Sequence, residues 1–292
     1  MRQISRKLAA RFQASGKYRK PIREQAKQMR ESARIPRDVM AIDQLVKQGL
    51  DPLHAAYASV QNFVSFFAES VSVFDEFEIY SKVIGAALEE YMPDGPPMSP
   101  LTNSYFSTWA FFDFRFGPDL ETIGTCLLDT GRDLGMDEGM LAVTRLFQDT
   151  RMGIYEHVGI KDGQVELREL LADTVFDCHV PAGYLGKKGE LWCVRLCPPI
   201  LDLLDYHVAV TTPYVLLNAS RADWIAYLNK NILGVADLRQ ALHEFLKYGP
   251  SLHHWNEFIF QGYHHHQHDV IYLAGLPDVK SSLPHASRRR EP

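Results

Sequence analysis

The chain has 292 residues, enough for one large domain or two ordinary ones. Its hydrophobic fraction of 46% and charged fraction of 23% are those of an ordinary globular protein. The net charge of −5 hides an asymmetry, because residues 1–37 hold 12 basic and 2 acidic side chains, a net +10, and the rest of the chain carries −15.

No membrane span is legible. The most apolar stretches, Ile200 to Leu204 and Tyr214 to Leu217, fall far short of the roughly 20 residues a bilayer needs. Met1 to Ala10 has charge but no apolar h-region, which argues against a secretory signal, although an Arg-rich, acid-poor start also fits an organellar presequence. Cys126, Cys178, Cys193 and Cys197 are too few and too scattered for a disulfide scaffold. The reading is a cytoplasmic protein with reduced thiols.

In chain order, Ile4, Leu8 and Phe12 recur at i, i+4 and i+8, one apolar stripe on a helix. Arg2, Arg6, Lys7 and Arg11 surround that stripe. Ser15-Gly16 interrupts it, Pro21 restarts it, and Pro36 ends the basic arm. Met40, Leu45 and Val46 predict an amphipathic helix. Asp51-Pro52 predicts the start of another, with Asp as cap and Pro at the first helical position. Phe63, Phe66, Phe67, Phe74 and Phe77 recur at spacings of three, four and seven, as on a helix facing a core. Met92 to Pro97 is a loop. The aromatic block Tyr105 to Phe116 reads as a buried helix, and helical pattern continues from Leu120 to Phe147.

The character changes near Arg151. Short strands are predicted at Met152 to Val158, Val165 to Leu170, Val175 to Val180, Leu191 to Leu196 and His207 to Leu217. Lys161-Asp162-Gly163 reads as a hairpin turn and Gly186 to Gly189 as another. Helical pattern returns at Ala222 to Leu228, Val235 to Leu246 and Leu252 to about His266, with a last strand at Asp269 to Leu273. The fold class is therefore α+β: mostly helical, with a small five-stranded barrel of the SH3-like or OB-like kind in the middle. The expected organisation is a basic arm at 1–37, a helical domain at 38–148, a barrel at 149–217, a C-terminal helical segment at 218–280 and a disordered tail at 281–292.

No internal repeat, phosphate loop, HExxH, GxSxG or CxxC pair is present. Tyr105-Phe106-Ser107-Thr108-Trp109-Ala110-Phe111-Phe112-Asp113-Phe114-Arg115 is followed by Ile154-Tyr155-Glu156-His157-Val158 and Val165 to Leu171. The turn Lys187-Lys188-Gly189 and the strand Leu191 to Leu196 come next. This order, over residues 104–200, resembles a group of poorly characterised bacterial proteins, many of which end in a SEC-C zinc motif. The SEC-C cysteines are absent here, so the zinc role is not carried over, and the resemblance implies an architecture rather than an activity.

Two candidate sites remain. Arg2, Arg6, Lys7, Arg11, Lys17, Arg19, Lys20 and Arg23, with Phe12 and Tyr18 among them, suit a phosphate backbone. A membrane surface is one rival partner, and the acidic surface of a protein neighbour, or of the chain's own body, is the other. The second is a histidine cluster. His253, His254, His264, His265, His266 and His268 are six of the twelve histidines. On a helix His264 and His268 would share a face, so His264, His265 and His268 are candidate ligands for a transition metal, with Asp269 or Glu257 as a further ligand. The bland alternative is a polar helix end.

Cys193 and Cys197, with Cys178-His179, read first as small buried hydrophobes. Asp75, Glu76, Glu78, Glu89 and Glu90 read as a solvated face. The expected function is a non-enzymatic binding or adaptor protein, a subunit of a larger bacterial assembly with a protein partner. Its basic arm would contact nucleic acid or an acidic partner. The alternative is a metal-dependent enzyme built on the histidine cluster.

Overall fold

The computed structural model describes residues 1–32, 51–93, 99–200, 204–232, 234 and 236–277. These form an α+β protein with a closed five-stranded barrel and additional strands. No described helix is long and apolar enough to cross a membrane. The chain forms two compact units, residues 1–89 with 107–149, and residues 90–106 with 150–292. The helix expected at Met40 to Val46, the end of the arm at Pro36, most of the loop at 92–97 and the tail from Ser281 lie outside the described residues.

The first unit contains α1 (Gln3–Ala14), α2 (Gly16–Ser32), α3 (Pro52–Val71) and most of α4 (Glu78–Tyr91). The end of α5 (Asn103–Thr108), α6 (Ile123–Thr130) and α7 (Glu138–Asp149) complete it. The expected stripe is present: Ile4, Leu8 and Phe12 are all buried, each contributing about 1.5–3 kcal/mol of transfer free energy. α1 packs on α6, α2 on α3, and α3 on α7.

The start of α1 leaves backbone N–H groups without intrahelical acceptors, and carboxylates far along the chain take them. Arg2 N donates to Asp129 Oδ2 at 3.2 Å and Gln3 N to Asp119 Oδ2 at 2.7 Å. Glu121, fully buried, accepts from Ile4 N and Ser5 N at 2.9 Å each and from Ser5 Oγ at 2.8 Å. The negative charge also complements the positive end of the helix dipole. A tight turn presents these carboxylates: Phe116 and Glu121 form a bridge, and Gly117 has φ +72°. The positive φ favours glycine there, and a Cβ at Gly117 would also displace the end of the Ile4 side chain.

Asp51 caps α3 as expected, accepting from His54 N at 2.7 Å, with Pro52 at the first helical position. The phenylalanine run is only partly on that helix. Phe63 and Phe67 are buried on α3, whereas Phe74 and Phe77 lie in the short connection to α4, also buried. The aromatic block is helical and buried, as expected, but its second half, Trp109–Asp113, is a π-helical turn. Phe114 N reaches back five residues to Trp109 O at 2.8 Å. That widening brings Phe112 into a stack on Phe147, with centroids 4.4 Å apart. Gln148 donates to Phe112 O at 2.9 Å and accepts from Thr122 Oγ1 at 2.8 Å.

The second unit holds the strands β1 (Met152–Lys161), β2 (Gln164–Glu169), β3 (Val175–His179), β4 (Leu191–Cys197), β5 (His207–Ala209), β6 (Tyr214–Leu217), β7 (Tyr263–Gln267) and β8 (Val270–Ala274). It also holds α8 (Arg221–Ile232), α9 (Leu238–Tyr248) and α10 (His254–Gly262). Asp162 and Gly163 join β1 to β2 with φ +51° and +81°, a type I′ hairpin turn. The strand order β1-β2-β3-β5-β4 closes back on β1 through an antiparallel β1–β4 pairing, and β3 runs parallel to β5. That connectivity is OB-type; an SH3-like meander would run its strands in sequence order.

Trp192, Val194 and Leu196 of β4 face the barrel interior with Val165, Leu167 and Cys178. The opposite face of the same strand, Cys193, Arg195 and Cys197, is also buried. There α9 packs on β1, and Lys247 Nζ donates to Thr150 O at 2.6 Å.

The single strand expected over His207 to Leu217 is two. Pro213 has no N–H for a ladder bond, and at the break Thr211 Oγ1 takes the Arg195 N–H at 3.0 Å. β5 then closes the barrel while β6 leads outward to β8 and β7. The expected helix from Leu252 to about His266 ends at Gly262 instead, and Tyr263–Gln267 is strand β7. The reason is tertiary: Val270–Ala274 offers a strand for it to pair with across a two-residue turn.

Candidate functional site

The cations singled out from the sequence sit on two folded helices of the first unit. Those on α1 divide by partner. Arg2 pairs with Asp129 at 3.3 Å. Arg11 pairs with Glu76 at 3.1 Å and lies over the Phe74 ring at 5.0 Å. Arg6 and Lys7 are exposed. Arg2 and Arg11 thus secure α1, and Glu76, read from the sequence as part of a solvated face, is the counterpart of Arg11 inside the fold. Glu78 does behave as a surface carboxylate: its hydrogen bond and charge pairing with Lys82 lower its pKa.

The cations on α2 are arranged differently. Arg19, Lys20, Arg23 and Lys27 line an open depression of about 510 Å³, with Gly16, Glu24 and Gly135. Positions 19, 20, 23 and 27 fall on one helical face. Arg19 Nε and Arg23 Nε both donate to the Asp133 carbonyl, at 3.2 and 3.0 Å. This fixes the two guanidinium planes through one of the five donors each possesses. Lys20 lies 4.0 Å from Glu24. The lining therefore carries a net charge of +3 from four cations and one carboxylate. Lys17 is placed over its neighbour Tyr18, at 5.5 Å. Lys27 and Gly135 were not among the sequence candidates. Lys27 was accessible from the i+4 spacing after Arg23, whereas Gly135 comes into the site only through folding.

The barrel offers a contrasting surface. Oligonucleotides on OB barrels lie across strands 2 and 3. Here that outer face sets Glu166 directly opposite Asp177, and Glu156 opposite Arg168. Arg168 is already drawn to Asp173 at 3.6 Å and Glu156 at 4.0 Å. Two carboxylates in register repel a phosphate backbone, so among the described residues the α2 depression, rather than this barrel face, suits a polyanion.

The histidines do not form one cluster. His254 Nε2 is hydrogen-bonded to Tyr227 Oη at 2.8 Å, and His253 contacts the Tyr91 ring, both at the start of α10. His264, His265 and His266 lie on exposed β7, and His268 lies in the turn to β8. The i, i+4 helical face expected for His264 and His268 does not exist. Among the described residues no group of three or more His, Cys, Asp or Glu side chains is placed to hold a metal.

All four cysteines are buried as free thiols. Burial pushes the Cys193 and Cys197 thiols up to about 12, and raises Cys126 and Cys178 as well. A thiol that neither meets solvent nor ionises near neutrality is a poor nucleophile. Ellman's reagent at neutral pH is expected to label none of the four within minutes in the native protein and all four in denaturant. Rapid native labelling of Cys193 or Cys197 would contradict this placement.

These features define an α+β protein with an OB-type barrel and a separate basic helical surface. No protein-family model, no curated protein and no solved structure matches the chain.

Proposed function

We propose that the protein is a non-enzymatic binding or adaptor protein that engages a polyanion, foremost a nucleic-acid backbone, through α2. The observation that carries this reading is the alignment of Arg19, Lys20, Arg23 and Lys27 around one depression, with both arginines oriented by the Asp133 carbonyl. Oriented guanidinium groups lose less side-chain entropy on meeting phosphate than solvated ones. The acidic outer face of the barrel, at Glu166 and Asp177, suits a protein contact instead and supports an adaptor role within a larger bacterial assembly. Kinship with the SEC-C-associated bacterial proteins belongs to the same proposal.

The test is fluorescence anisotropy of a labelled single-stranded oligonucleotide over a salt series. Three or four backbone contacts give a log–log slope of about −2 to −3. Absence of binding at about 50 mM salt, where such contacts are strongest, would sink the nucleic-acid reading. Binding to an acidic polypeptide but not to the oligonucleotide would reassign the same face to an acidic partner subunit.

A further inference from the structure

β7 ends the strand order of the sheet, and its outer side pairs with no other strand among the described residues. Its pairing with β8 is irregular. Tyr263 faces Leu273 and His265 faces Tyr272, so His264 is an extra residue, a β-bulge. Successive side chains on a regular strand point to opposite faces. A bulge cancels that alternation locally and re-aims a side chain. The consequence is measurable: the Nδ1 atoms of the adjacent His264 and His265 converge to 2.6 Å, with the rings 4.8 Å apart.

The pair is supported from below. His265 stacks on Tyr272 at 4.3 Å with an interplanar angle of 12°. The Tyr272 hydroxyl lies 3.5 Å from Tyr184 Oη and donates to Gln267 Oε1 at 3.4 Å. Tyr184 in turn donates to Glu190, which also accepts from Trp192 Nε1 at 3.1 Å. His266 is engaged separately, its Nδ1 at 2.8 Å from Tyr263 Oη. One exposed imidazole pair is thus selected from the histidine run, with one ring held in place by a chain of contacts reaching the barrel core.

We infer that His264 and His265 form a surface site for a divalent transition-metal ion, copper(II) before others. In the structure one Nδ1 must donate to the other, so a single proton sits between two lone-pair positions. Moving the donor ring's proton to Nε2 turns both Nδ1 lone pairs toward a common point. Metal–imidazole distances near 2.0–2.1 Å then require the nitrogens to open to about 3 Å, a small change for exposed side chains. Among divalent first-row ions an imidazole pair favours copper(II). With no third converging side chain among the described residues, water or a ligand from another molecule completes the shell. This site lies on different residues from the α2 depression and stands independently of the polyanion reading.

The experiment is titration of the full chain with copper(II) alone, followed by electron paramagnetic resonance and competition with a chelating dye. The expected result is one copper per chain with a nitrogen-ligated type 2 spectrum. His264→Ala and His265→Ala each weaken it at least tenfold, while His268→Ala leaves it unchanged. Both substitutions are on an exposed strand, and circular dichroism of each variant verifies that the fold persists. The inference is overturned if wild-type protein takes up no stoichiometric copper. It is equally overturned if the His264→Ala/His265→Ala double variant retains the same affinity and spectrum.

Discussion

Glu121→Ala is expected to destabilise the helical unit by about 3 kcal/mol, lowering its melting temperature by roughly 10 °C. The carboxylate is buried and serves Ile4 N, Ser5 N and Ser5 Oγ together. Removing it strands donors where water does not reach, and each stranded donor costs about 1–3 kcal/mol. The effect should exceed that of an ordinary cap loss, about 1 kcal/mol, because α1 also loses the anchor that holds Leu8 and Phe12 in the core. Glu121→Gln keeps one acceptor oxygen but turns an amide donor toward backbone N–H groups, so it should fall between. Asp119→Ala, which removes a single exposed contact to Gln3 N, should cost no more than about 1 kcal/mol. Scanning calorimetry with circular dichroism decides. A Glu121→Ala protein melting with the wild type would mean that the α1 terminus contributes nothing.

The second large effect is on binding. Arg19→Glu with Arg23→Glu converts the lining of the depression from a net +3 to −1. Two attractive contacts are replaced by two repulsive ones, and affinity for a polyanion is expected to fall at least about 100-fold, roughly 2.7 kcal/mol, at low salt. Arg19→Lys with Arg23→Lys keeps the charge but surrenders the planar fork and the Nε bond to Asp133 O. A loss of about tenfold or less is expected from that pair. Arg6→Glu with Lys7→Glu, on α1, serves as the comparison for unspecific charge. Equal losses from the α1 and α2 pairs would show a diffuse field rather than a site.

The difference between what was legible in the sequence and what was not is one of range. Asp51-Pro52, Asp162-Gly163 and the Ile4, Leu8, Phe12 stripe are local signals, and each has its expected structure. The barrel was visible through its short strands, and strand order distinguishes the OB-type from the SH3-like connectivity left open by the pattern. The role of Glu121 was not legible, since its donors lie 116 and 117 positions away. Nor was β7: its three histidines in a helical context carry no period-two apolar signal, and only pairing with Val270–Ala274 makes them a strand. The histidine pair is adjacent in sequence, yet alternation predicts opposite faces. A bulge, which has no composition of its own, brings the rings together.

The two units are interleaved along the chain, and this governs the order in which each can be completed. Residues 90–106 belong with residues beyond 150, although residues 107–149 intervene and belong elsewhere. Tyr105 Oη waits for Asn256, 151 positions later, and the Pro100 carbonyl for Tyr214, 114 positions later. On a ribosome adding about 5–20 residues per second, that is on the order of ten seconds during which Pro100 and Tyr105 lack these two partners. α1 likewise emerges more than a hundred residues ahead of its carboxylates. A proteolytic cut after Asp149 would sever neither unit cleanly: it would leave the first unit carrying a segment whose packing partners had been removed. Limited proteolysis is expected to give paired fragments that stay associated rather than separable domains.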